Sequence, residues 1–109
     1  MPSLNEEIRT LERKIQQLNL SYDHYFGGRE PREPLALRSE VQRQLAYFSG
    51  SRITNTALRF RVGTLRARFQ TLSQQWDRRL RELEEGIDDR QRFRKRQQGR
   101  APASGNRKI

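Results

Sequence analysis

The stretch from Asp88 to Arg100, DDRQRFRKRQQGR, places two acids ahead of six basic side chains gathered around one aromatic. Arg90, Arg92, Arg94, Lys95, Arg96 and Arg100 form a run that attracts phosphates by charge and counterion release without reading base sequence. Phe93 adds one flat face on which an unpaired base can stack. The chemistry expected here is polyanion binding, with nucleic acid, RNA or DNA, as the first expectation. A merely solubilising tail, or one that meets an acidic protein or an anionic membrane surface, is the alternative.

A second basic constellation lies upstream, at Arg59, Arg61, Arg66 and Arg68, with Arg43 and Arg52 nearby. It is a polyanion surface if these side chains point to one side, and an ion-pair belt if an acidic helix neutralises them; the belt is the preferred expectation. Arg outnumbers Lys 20 to 3, which suits bidentate recognition of phosphate or carboxylate and equally suits the codon bias of a GC-rich genome.

The remaining candidates carry less. His24 is the single histidine, and acid/base use would need a pocket and a substrate beside it rather than its sequence neighbour Asp23. Glu84, Glu85, Asp88 and Asp89 could chelate a hard cation, but their spacing matches no calcium loop and fits a solvated helix end. Gly27-Gly28-Arg29 lacks the glycine spacing and the lysine of a phosphate loop and reads as a helix stop. Tyr22, Tyr25 and Phe26 could stack on bases, but the two tyrosines fall in a heptad register that assigns them to a core, as does the register of Phe69 and Trp76. No enzyme, metal, cofactor or small-molecule substrate is expected.

Composition bounds the scaffold. Leu, Ile, Val and Phe make up 24 of 109 residues, so any core is thin and relies on a regular helix seam, a second copy or a partner. The chain has no cysteine, which removes disulfides and thiolate metal sites. No apolar run approaches the ~20 residues of a membrane span, and the amino terminus has acids where a signal peptide has bases, so the expected location is cytoplasmic. Asn19-Leu20-Ser21 matches the glycosylation triplet and is taken as coincidence. The net charge of +10 is uneven: residues 1 to 40 sum to -1, 41 to 81 to +8, 82 to 89 to -5 and 90 to 109 to +8.

The elements that must position these charges are helical. Leu4, Ile8, Leu11, Ile15 and Leu18 alternate spacings of four and three, and Tyr22 and Tyr25 extend the register. Ser3 with Glu6 makes a capping-box pattern and Gly27-Gly28 a stop, placing helix 1 at about 4-25. Pro31 and Pro34 mark a connector, and Pro34 opens helix 2 at about 34-49, with Leu37, Val41, Leu45 and Phe48 on one face. SRITN is a turn with Thr54 or Asn55 as N-cap, and helix 3 follows at about 55-85 on the seam Leu58, Val62, Leu65, Phe69, Leu72, Trp76 and Leu83. Arg79 interrupts this seam, and Leu80 and Ile87 shift it sideways. Gly63 costs about 1 kcal/mol inside a helix, which calls for close backbone packing or a bend.

Charge at the seam flanks decides the expected pairing. Helix 1 presents Glu7, Glu12, Lys14 and Asn19, while helix 3 presents only arginines. Self-pairing of either helix opposes like charges, whereas helix 1 against helix 3 relieves both conflicts. The expected fold is all-α: a three-helix, coiled-coil-like antiparallel hairpin of helices 1 and 3, closed by helix 2, over residues 1-86, with a basic, largely disordered tail at 87-109. Within that tail residues 88 to 97 could extend helix 3.

The segments YFGGREPREPLALRSEVQRQL and ITNTALRFRVGTLRARFQTLSQQWDRRLRELEEG, about Tyr25 to Gly86, resemble an uncharacterised helical domain of myxobacterial and other deltaproteobacterial proteins. The pieces that carry the resemblance are Tyr25-Phe26, Glu33-Pro34-Leu35, Asn55-Thr56-Ala57-Leu58 with Phe60, and Trp76 with Glu85-Gly86. It implies a bacterial source and a compact helical module that attaches to other proteins, and it implies no activity. The function expected is a non-enzymatic interaction module whose Arg-rich tail gives sequence-nonspecific nucleic-acid binding. The alternative is a scaffold that binds a protein partner, or a second copy, through its apolar seam.

Overall fold

In the computed structural model, residues 2 to 104 are described, with side chains from 2 to 87. Three helices follow in order: α1, Leu4–Phe26; α2, Leu35–Gly50; and α3, Thr56–Ser104. No strand occurs among the described residues. The chain comprises two units, Met1–Trp76 and Asp77–Ile109.

Local chemistry sets the helix ends in the first unit. The Glu6 backbone N–H donates to Ser3 Oγ at 3.2 Å, and the Ser3 N–H donates back to Glu6 Oε1 at 3.4 Å, completing the capping box at the start of α1. At its far end Gly28 adopts φ +82, which a side chain would resist, and the turn closes through Gly28 N–H to the Tyr25 carbonyl and Arg29 N–H to the His24 carbonyl. This is the paired bonding of a Schellman stop. Pro34 sits one residue outside α2 with φ -78 and ψ 62, and the Leu35 N–H donates to the Glu33 carbonyl at 2.8 Å. That inverse γ-turn swings the chain into α2. Asn55 Oδ1 accepts from the Leu58 N–H at 3.0 Å, so Asn55 caps α3.

The core of this unit is a single seam. Ile8, Leu11, Ile15, Leu18 and Tyr22 from α1 are buried, together with Val41, Leu45 and Phe48 from α2, and Val62, Leu65, Phe69 and Trp76 from α3. Ile53 in the short α2–α3 link is also buried. Leu72 is only half-buried and does not join the innermost layer that its heptad position assigns it. Contacts order the helices. From Asn5 and Glu12 to Tyr22 along α1, the partners on α3 advance from Arg61 to Trp76, so α1 and α3 run in the same sense. From Arg38 to Ser49 along α2, the α3 partners retreat from Trp76 to Arg66.

The first unit is therefore an up-down-up three-helix bundle, and the antiparallel α1–α3 hairpin expected from flank charges is corrected. The eight residues between α1 and α2 and the five between α2 and α3 are short links, which make each consecutive pair antiparallel and leave α1 parallel to α3. Charge complementarity alone does not distinguish the two directions. Close packing at Gly63 is corrected as well, since a Cβ there would meet none of the described residues within 4 Å.

In the second unit α3 continues through Ser104, beyond the end expected near Glu85. Leu83, an expected seam position, and Ile87, expected beside the seam, are 41% and 45% exposed and face solvent. The basic, largely disordered tail expected at 87-109 falls on a segment whose side chains from residue 88 onward, and whose last five residues entirely, lie outside the described residues. Among the described residues no helix is long and apolar enough to cross a membrane.

Candidate nucleic-acid interface

The upstream basic group divides between two flanks of α3. On the α1 side, Arg61 donates to Asn5 Oδ1 at 2.8 Å and stands 4.0 Å from Glu12. Its guanidinium is spent on helix pairing, the role expected of a belt. Arg68 falls seven residues later and is exposed. On the α2 side, Arg59 and Arg66 are both exposed, and Arg66 donates to Ser49 Oγ at 3.0 Å. Arg43 and Arg52 are exposed too. The six upstream arginines thus do not act as one belt: Arg61 joins α1, while the others keep donors toward solvent.

Arg59 and Arg66 flank a cleft of about 230 Å³ at the α2–α3 elbow. Its floor is apolar, from Phe48, Ile53 and Val62, and its rim carries the hydroxyls of Ser49 and Ser51. Gly63 lies along the α3 wall, where its missing side chain leaves the cleft open. Ser51 donates to the Tyr47 carbonyl at 2.7 Å, holding the end of α2 in place. A charged rim over an apolar floor favours an anionic group with a hydrophobic neighbour. A second groove of about 280 Å³ lies between the start of α1 and the end of α2, with Pro2, Tyr47 and Phe48 for walls and Glu7 and Arg43 at its edge.

Arg90, Arg92, Phe93, Arg94, Lys95, Arg96 and Arg100 belong to the backbone of α3, and their side chains lie outside the described residues. Phe69 and Trp76 are core, in edge contact at 6.1 Å. Tyr22 is core as well, its ring stacked on Trp76 with centroids 4.2 Å apart, while Tyr25 and Phe26 are half-buried. His24 is half-buried at the end of α1, where its carbonyl accepts from Arg29 and Glu30.

Two features escape the sequence reading. The first is exposed aromatic surface: Tyr47 is 67% exposed and Phe60 75%. Both lie off the apolar stripes of their helices, so plotting aromatic positions against the heptad register would have found them. Such faces are sequence-tolerant platforms for bases. The second is a polar network against the core. Tyr22 Oη donates to Glu33 Oε2 at 2.7 Å and accepts from Arg38 at 3.0 Å. The Arg38 guanidinium lies 5.7 Å from the centroid of Tyr22 and 5.5 Å from that of Trp76. Burial pushes the Tyr22 phenol up to about 12, with the Glu33 hydrogen bond acting in the same direction against Arg38. The available signal was a tyrosine in a core register, because a buried phenol needs a polar partner, here Glu33 of the connector and Arg38 of α2. This network ties the α1–α2 link to the core and is a structural clamp. No family model, no curated protein and no solved structure matches the chain.

Proposed function

We propose that this protein is a small, non-enzymatic helical module that binds nucleic acid through electrostatic contacts to its phosphates, with the Arg-rich tail from Arg90 to Arg100 as the principal contact. The observation that carries this reading is the charge distribution. Residues 41 to 81 and 90 to 109 each sum to +8, and Arg43, Arg52, Arg59, Arg66 and Arg68 are exposed rather than buried in ion pairs. Cations so arranged release counterions from a phosphate backbone, and the exposed rings of Tyr47 and Phe60 offer stacking surface.

The test is a salt titration of oligonucleotide binding by the full chain and by a variant carrying Arg90→Gln, Arg92→Gln, Arg94→Gln and Arg96→Gln together. The variant should flatten the plot of log affinity against log salt by several units, at ~0.9 per duplex phosphate or ~0.7 per single-strand phosphate. Phe93→Ala should weaken single-strand binding alone, by ~1 to 3 kcal/mol. An unchanged slope returns the tail to a solubilising role.

A second reading, a scaffold that holds a protein partner through apolar surface, is favoured by the exposure of Leu83 and Ile87 on α3. Apolar burial is little screened by salt, so such a partner would stay bound at ionic strengths that release an oligonucleotide.

A further inference from the structure

The cleft at the α2–α3 elbow has two properties that helix packing does not require. Its α3 wall contains a glycine in the middle of a helix, a position where most other residues would favour the helix more. Elsewhere such a glycine admits a neighbouring backbone, but a Cβ at Gly63 meets no atom of the described residues within 4 Å. What the glycine preserves is the open volume of about 230 Å³ beside it. The second property is the pair of arginines. Arg59 and Arg66 are seven residues apart on α3, two turns along one face, and both line this cleft. Ser49 Oγ accepts from Arg66 at 3.0 Å, which orients the guanidinium and leaves its other donors unspent by that bond.

We infer that this cleft is a seat for one phosphodiester of a bound nucleic acid, with Arg59 and Arg66 as the paired donors, the Ser49 and Ser51 hydroxyls at the rim, and the apolar floor facing the adjoining sugar or base. Guanidinium is planar and always charged, and its fork of donors matches phosphate oxygens. The inference rests on the nucleic-acid reading above but assigns a discrete contact in the folded bundle, separate from the tail. No described residue lies within 4 Å of a Cβ at Gly63, so a side chain introduced there would occupy the space of the phosphate and its neighbour while leaving the charge of the protein unchanged.

The experiment uses the full chain and short single-stranded and duplex oligonucleotides, with melting curves of every variant as the folding control. Gly63→Leu improves helix propensity and so should melt no lower than the parent, yet its affinity should fall by about tenfold or more, the scale of losing charge-assisted hydrogen bonds. Gly63→Ala, which fills little of the cleft, should bind as the parent does. Arg59→Gln with Arg66→Gln should lower the salt slope by about 0.9 unit on duplex, the value for one phosphate released. The tail variant with Arg90, Arg92, Arg94 and Arg96 all changed to Gln is measured beside them. Loss in the cleft variants whatever the tail variant does supports the seat. Parent-like binding by Gly63→Leu overturns it, and if the tail variant still loses its slope the wider reading stands without it. Failure of the parent to bind either oligonucleotide overturns both.

Discussion

Replacing Tyr22 by Phe isolates the polar network that clamps the α1–α2 link. The ring remains, so its stack on Trp76 at 4.2 Å is kept, while the donation to Glu33 at 2.7 Å and the acceptance from Arg38 at 3.0 Å are both lost. Hydrogen bonds to charged partners contribute ~1.5 to 3 kcal/mol. Glu33 and Arg38 stay 3.9 Å apart with side chains 22% and 14% exposed, so they still satisfy one another in part and the loss should fall near the lower end of that range. Alkali supplies an independent check. The phenol is raised in the folded chain from its ordinary value of 10.0 to about 12, so between those values the folded protein keeps a proton that the unfolded chain gives up. Its contribution is fully present below pH 10 and is lost as pH rises through 12, by roughly 3 kcal/mol at 1.36 kcal/mol per unit. Urea denaturation followed by the fluorescence of Trp76, the single tryptophan, at a series of pH values measures both effects. Tyr22→Phe should be less stable than the parent at neutral pH, and the gap should close between pH 10 and 12. A variant that stays within about 0.5 kcal/mol of the parent at neutral pH, with a parallel alkaline decline, would refute the clamp.

Three further outcomes are expected. Leu11→Ala, at a fully buried position, should cost ~2 to 5 kcal/mol in chemical denaturation, whereas Leu72→Ala, half-buried, should cost less; equal losses would contradict the described core. Arg61→Glu should destabilise more than Arg61→Gln because it faces Glu12, each by less than about 1 kcal/mol beyond the lost Asn5 bond, and the difference should shrink in high salt. Ser73 Oγ is buried with no protein partner among the described residues, so Ser73→Ala should raise the melting temperature by removing an unsatisfied hydroxyl and improving helix propensity; a lower melt would show that the hydroxyl is satisfied.

Helix starts and stops were legible because they depend on groups within a few residues of one another. Ser3 and Glu6 exchange their capping bonds across one turn, Gly28 takes the positive φ that its lack of Cβ permits, and Asn55 reaches the N–H of Leu58. The seam of α1 was legible for a related reason, since Ile8, Leu11, Ile15, Leu18 and Tyr22 repeat at the period of the helix itself. Of the candidate interface, the positions of the arginines were in the sequence but their division was not. Arg59 and Arg61 are two residues apart, yet one lines the open cleft while the other bonds to α1, because a helix turns about 200° between them.

By itself, the sequence determined that this chain is helical, where the three helices begin, where the first two end, and that its cations far outnumber its acids beyond residue 40. Tertiary structure decided everything that depends on which element lies opposite. The parallel sense of α1 and α3 follows from two short links acting together, and the burial of Ile53 follows from where the second link passes. Gly63 became a cleft wall because no described residue fills the space beside it, and Tyr22 found its partners in the connector and the first turn of α2 rather than along its own helix. Periodicity states which side of a helix is apolar, but whether that side is covered is a property of its neighbour: the same seam is closed at Trp76 and exposed at Leu83.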